Sequence, residues 1–161
     1  MTGTIDLQTD VALAMRFHVP VLITASPGPA LAVAQLIAGA RSRRRKPANV
    51  VVCDGASIVK AALGDPKTAA AACAAVLIVG EVDALTDVEQ AALLLILDDE
   101  EMHLRGRIIA TSSVCLFHRV GQGTFDARLF YRLNAIHIVS ESCSERATAA
   151  TPCCPDAIST A

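Results

Sequence analysis

Short runs of Val, Ile and Leu alternate along this chain with longer Ala- and Leu-rich stretches, and the two kinds of segment predict different elements. Five runs read as strands: Val19 to Thr24, Asn49 to Cys53, Val76 to Gly80, Arg107 to Ser112 and Ala135 to Val139. Each is nearly continuous in apolar residues rather than alternating, which is the pattern of a strand covered by helices on both faces. Between them, helical periodicity predicts helices over Leu7 to Phe17, Leu31 to Ser42, Ala56 to Leu63, Asp87 to Leu97 and Ala127 to Leu133. The fourth has the clearest start: Thr86 can cap it, Glu89 follows three residues on, and Ala91, Leu94 and Leu95 then share one face. Strand and helix in repeated alternation predict an α/β fold around a parallel sheet. Beyond Ser140 the sequence turns to Ser, Thr, Ala, Cys and Pro without periodicity, offering little apolar area to offset the entropy of ordering. One domain over residues 1 to 140 and a disordered tail over 141 to 161 are therefore expected.

With 161 residues there is room for one core. That core must be built from small aliphatic side chains, because 53% of the residues are hydrophobic and only 3% are aromatic. A net charge of -2 provides no general attraction to nucleic acid or to an anionic membrane. The N-terminus lacks a basic segment followed by an apolar core, and the longest apolar stretch, Ala69 to Gly80, is too short to span a bilayer. A soluble, cytoplasmic protein without membrane contact is expected. Cys53, Cys73 and Cys115 lie in or beside apolar segments and read as reduced core residues. Cys143, Cys153 and Cys154 fall in the tail without Cys-x-x-Cys spacing; with His137 they are the one conceivable metal cluster, and no metal is expected. The run Arg41, Ser42, Arg43, Arg44, Arg45 and Lys46 follows a predicted helix and reads as a solvated end, with non-specific phosphate contact as its only nucleic-acid role.

Four collinear segments carry a resemblance. Val19-Pro20-Val21-Leu22-Ile23-Thr24 leads into a loop of small residues and a helix. Val76 to Leu85 reads Val-Leu-Ile-Val-Gly-Glu-Val-Asp-Ala-Leu and is followed by Glu89-Gln90-Ala91-Ala92-Leu93-Leu94. Arg107 to Ser113 reads Arg-Ile-Ile-Ala-Thr-Ser-Ser, and Phe125 to Asn134 reads Phe-Asp-Ala-Arg-Leu-Phe-Tyr-Arg-Leu-Asn. In this order they resemble the phosphate-loop strand, Walker B strand, sensor I strand and trans-arginine segment of the AAA+ core in bacterial sigma-54 enhancer-binding activators. The resemblance spans residues 8 to 139. It implies a three-layer P-loop NTPase fold with five parallel strands in the order 5-1-4-3-2, and the chain ends where the family would continue into its lid.

The same resemblance implies a degraded nucleotide site. A working phosphate loop needs glycines whose N–H groups wrap the phosphates and a Lys that neutralises them. Here Ala25, Ser26, Pro27, Gly28, Pro29, Ala30, Leu31 and Ala32 occupy the loop, with Ala25 and Ala30 at glycine positions and Leu31 at that of the Lys. The simplest expectation for residues 25 to 31 is an ordinary strand-to-helix turn. Gly80 stands where the family's metal-organising Asp would be, and Glu81 stands at the water-activating Glu. Ser113 takes the sensor I Asn position, and Cys53 that of the Asn restraining the Glu. Asp126 replaces the first arginine that reaches a neighbouring subunit, Arg132 keeps the second, and Arg128 stands at an acidic position. The segment from Asp54 to Ala75 is short and contains no Gly-Ala-Phe-Thr-Gly-Ala loop for engaging sigma-54.

These substitutions favour a non-hydrolysing regulatory or protein-interaction module in transcription control, with related AAA+ or transcription proteins as partners and no required cofactor. One alternative is a weak ATP-binding domain, taking ATP and Mg²⁺ at low affinity and assembling through Glu81, Ser113 and Arg132. The other is a decayed remnant without activity.

Overall fold

A computed structural model describes residues 3–40, 49–63, 75–98 and 107–140. The run Arg41 to Lys46, Cys73, Cys143, Cys153, Cys154 and the expected tail all lie outside the described residues.

In chain order the elements are α1 (Gly3–Arg16), β1 (Val21–Thr24), α2 (Pro27–Ala40), β2 (Asn49–Cys53), α3 (Gly55–Ala62), β3 (Ala75–Val79), α4 (Asp87–Asp98), β4 (Arg107–Ser112), α5 (Leu116–Gly121), α6 (Ala127–Leu133) and β5 (Ile136–Val139), with a short 3-10 turn over Val82–Ala84. The strands form one sheet in the order β2-β3-β4-β1-β5, every pair parallel. This is the order expected from the resemblance, and each of the five expected strands is present to within two residues at its ends.

Successive side chains of a strand point to opposite faces, and the central strands β1 and β4 are buried on both, while the edge strand β2 leaves Val50 and Val52 exposed on one face, against the expectation of two covered faces. Leu22, Leu77, Val79, Ile108 and Ala110 meet Ile58 of α3, the apolar stripe of α4, Leu116 of α5 and Leu129, Phe130 and Leu133 of α6. Val21, Ile23, Val76, Ile78, Ile109 and Ile138 face the other way, onto Ala14 of α1 and Ala30, Ala34, Ile37 and Ala38 of α2. The continuity of the apolar runs in β1 and β4 thus follows from their place between two helical layers.

Three local expectations change. Cys53 and Cys115 are reduced but only half-buried, so they sit at the margin of the core instead of inside it. On α4, Ala91 and Leu95 are exposed while Gln90, Leu93, Leu94 and Leu97 are buried. The run from Ala91 to Leu97 is apolar all round, so its periodicity could not choose a face. The helix Leu116–Gly121 was not anticipated, because six residues hold too little periodicity to register.

Buried polar side chains tie these layers together. Arg107 at the start of β4 donates from Nη2 to the Ala14 carbonyl and from Nε to the Val19 carbonyl at 3.2 Å, joining the end of α1 to the approach of β1. Cations favour a helix C-terminus, where carbonyls lack intrahelical donors.

Candidate functional site

The carboxyl ends of β1, β3 and β4 lie side by side, and the expected phosphate-binding and catalytic residues fall there. β1 ends at Thr24, and Ala25 donates its N–H to the Ser112 carbonyl of β4 at 3.0 Å. Only Ala25 and Ser26 separate the strand from α2, so the turn expected over residues 25 to 31 is reduced to two residues. Pro27, Gly28, Pro29, Ala30, Leu31 and Ala32 all belong to the helix. Proline explains this early start: its fixed φ suits the first helical positions, and its missing N–H falls where a helix leaves donors unpaired anyway. The consequence for anion binding is direct. Among the first three helical residues only Gly28 carries an N–H, and the Ala30 N–H is already given to the Ser26 carbonyl at 2.9 Å. Ala30 is fully buried, and Leu31 points partly outward with 38% of its surface exposed.

Glu81, after β3, has an exposed side chain and a left-handed backbone with φ 50° and ψ 51°. Its N–H donates to Thr111 Oγ1 at 3.3 Å, and its carbonyl accepts the Ala84 N–H at 2.9 Å, opening the 3-10 turn. Two residues on, Asp83 Oδ1 accepts the Ser112 hydroxyl at 3.0 Å and the Ser113 N–H at 3.3 Å. Asp83, whose role the sequence did not signal, therefore ties the end of β4 and Ser113, the expected sensor I position, to the segment after β3. Cys53 closes β2 as expected, and burial, reinforced by neighbouring Asp54, pushes its thiol pKa up. The thiol packs against the core and has none of the amide donors expected at this position.

Asp126 and Arg132, the two expected trans-arginine positions, both make contacts within the chain. Asp126 is the N-cap of α6 and accepts the N–H groups of Arg128 at 2.7 Å and Leu129 at 3.2 Å. Arg128 lies 3.7 Å from the other oxygen of the same carboxylate. Arg132 reaches across to Asp98 at the end of α4, with Nη2 2.7 Å from Oδ1. Both partners are about half exposed, so this pair contributes on the order of 0–1 kcal/mol and leaves the arginine free to exchange partners. A second overlooked residue, Gln90, is buried and locks α4 to the approach of α6. Its Nε2 donates to the Leu85 carbonyl at 3.0 Å, and its Oε1 accepts the Asp126 N–H at 2.8 Å.

His137 lies on β5 beside β1, and its Nε2 is 2.8 Å from Thr24 Oγ1. Burial lowers its pKa, which keeps the ring neutral. Among the described residues no group of three His, Cys, Asp or Glu side chains is placed to hold a metal ion. No described helix is long and apolar enough to cross a membrane.

Comparison with known proteins gives this geometry its family. Residues 2–139 match the model of the Sigma-54 interaction domain. A search of curated protein sequences returns no match. Among solved structures, NtrX from Brucella abortus in complex with ATP is 20% identical with a TM-score of 0.66, over 86% of this chain and 38% of that one. The Holliday junction branch migration motor RuvB of Thermotoga maritima is 18% identical with a TM-score of 0.61, over 86% of this chain and 45% of that one. The P-loop NTPase domain of a sigma-54 transport activator from E. coli is 16% identical with a TM-score of 0.56, over 83% of this chain and 96% of that one. This chain spans less than half the length of the NtrX and RuvB chains. The parallel sheet in the order β2-β3-β4-β1-β5 and the family match over residues 2–139 agree, and the chain belongs to the Sigma-54 interaction domain family, with the AAA+ type of P-loop NTPase fold.

Proposed function

We propose that this chain is a non-hydrolysing regulatory or protein-interaction module of its family, acting in transcription control by contacting related proteins. The observation that carries this reading is the start of α2 at Pro27, directly after a two-residue connection. A phosphate chain needs several converging N–H groups and a cation. The first turn of α2 supplies the Gly28 N–H, and Leu31 stands where a Lys would supply the charge. Losing the Lys alone removes a charge-assisted hydrogen bond of about 1.5–3 kcal/mol. Gly80 in place of an Asp removes the carboxylate that would order Mg²⁺, so Glu81 has no metal-bound nucleotide to act upon.

The cis pairing of Arg132 with Asp98 and the capping role of Asp126 support the same reading. Steady-state assay of the purified chain with ATP and Mg²⁺ tests it. Phosphate release indistinguishable from a protein-free control is expected; turnover that disappears in Glu81→Gln would overturn the proposal.

A further inference from the structure

The two edges of the sheet are protected unequally. At one edge, Ile138 of β5 is buried in the core that Ala14 of α1 shares, and His137 is tied to Thr24 by a hydrogen bond. At the other edge β2 lies outermost, and among the described residues no strand pairs beyond it. Val50 and Val52 are 41% and 59% exposed, although their neighbours across the ladder, Val76 and Ile78 of β3, are buried against α2. The strand reads Asn-Val-Val-Val-Cys, without a charge, a Pro or a Gly to discourage a further strand. An exposed apolar edge lacking such devices is a template for pairing, because its outward N–H and C=O groups are open to another backbone.

We infer that β2 pairs antiparallel with the β2 of a second copy, joining two five-stranded sheets across a twofold axis; the inference is independent of the non-hydrolysing reading. With the axis at Val51 and perpendicular to the sheet, Val50 lies opposite the partner's Val52, and Val52 opposite the partner's Val50. Side-chain alternation puts both pairs on the same face, so the four exposed valines cover one another. Charge selects the orientation. In sequence the strand is entered through Arg43, Arg44, Arg45 and Lys46 and left through the exposed Asp54, so antiparallel pairing brings the acidic exit of each strand to the basic approach of the other. A parallel neighbour would set like charges side by side. A foreign strand would have to reproduce both the uncharged centre and the oppositely charged ends, and a second copy already carries them.

Sedimentation equilibrium of the whole chain over a range of concentrations, under reducing conditions that prevent a link through Cys53, tests the inference. The unmodified chain should be a reversible dimer. Val50→Glu with Val52→Glu, and separately Val50→Lys with Val52→Lys, should each give monomers, because each variant then faces its own charge across the axis. Circular dichroism should stay unchanged, since both side chains already reach solvent. An equimolar mixture of the two double variants should recover the dimer, as every Glu then meets a Lys, an outcome that mere destabilisation does not produce. Should a double variant fail to fold, Val52→Thr keeps strand propensity and should weaken the dimer about fivefold. A monomeric unmodified chain, an assembly that survives in both double variants, a mixture that stays monomeric, or a dimer constant unaltered by Val52→Thr would each overturn the inference.

Discussion

Glu81 combines two features that are costly together: it is the only described non-glycine residue with a positive φ, and its side chain makes no use of that conformation to cap the following turn. A left-handed backbone costs an L-residue about 1–2 kcal/mol, which glycine avoids. Glu81→Gly should therefore raise stability by about 0.5–1 kcal/mol in urea unfolding, after the extra freedom of glycine in the unfolded chain is counted. A loss of stability would mean that the carboxylate has a structural partner. His137 gives a second handle. Its pKa is lowered in the folded state by burial, so the unfolded chain binds more protons. Stability is thus full above the ordinary imidazole value of 6.5 and falls as the pH drops below it. Urea midpoints followed from about pH 7.5 to about pH 5.5 should decline in the unmodified chain and stay flatter in His137→Gln. Asp54 acts in a different window. Hydrogen bonds from Ser57 hold its carboxyl below its usual 3.8, so its contribution is present above that value and lost as the pH falls further.

Among the elements, those with local signals were legible and those fixed by distant partners were not. The start of α4 was read from Thr86 and Glu89, and both sides of that capping box form: Thr86 N–H to Glu89 Oε2 at 2.8 Å, and Glu89 N–H to Thr86 Oγ1 at 3.4 Å. By contrast Gln90 meets Asp126 across 36 positions, Asp83 meets Ser112 across 29, and Arg107 meets Ala14 across 93. No periodicity within a single segment reports such pairs. The start of α2 was misread for a different reason, since the resemblance assigned a loop to residues whose prolines favour a helical first turn. In α6 an expected site residue, Asp126, serves as the helix cap. Asp126→Ala should lower the thermal midpoint, at a cost of about 1 kcal/mol, whereas Asp126→Asn should keep most of the cap. Gln90→Leu should cost more, about 1–3 kcal/mol, because it leaves the Asp126 N–H and the Leu85 carbonyl without a buried partner. Equal melting of unmodified and Gln90→Leu protein would show that water replaces the amide.

For the molecule as a whole, the five apolar runs conveyed the strands, most plainly β1 and β4, which are buried on both faces, whereas their order in the sheet came from the resemblance. The expected site residues Glu81 and Ser113 and the β1 to α2 connection follow the carboxyl ends of β3, β4 and β1. What the positions do there depended on geometry, namely the closed first turn of α2, the tie from Asp83 to Ser113 and the engagement of Arg132 by Asp98. The central claim is that this edge has kept the family's framework without its phosphate-binding chemistry. Calorimetric titration of the folded, unmodified chain with ATP in the presence of Mg²⁺ tests it most directly. The account predicts no saturable heat at millimolar nucleotide, where binding free energy is only about 4 kcal/mol. Saturable one-to-one binding with a micromolar Kd, abolished when Mg²⁺ is chelated, would contradict it.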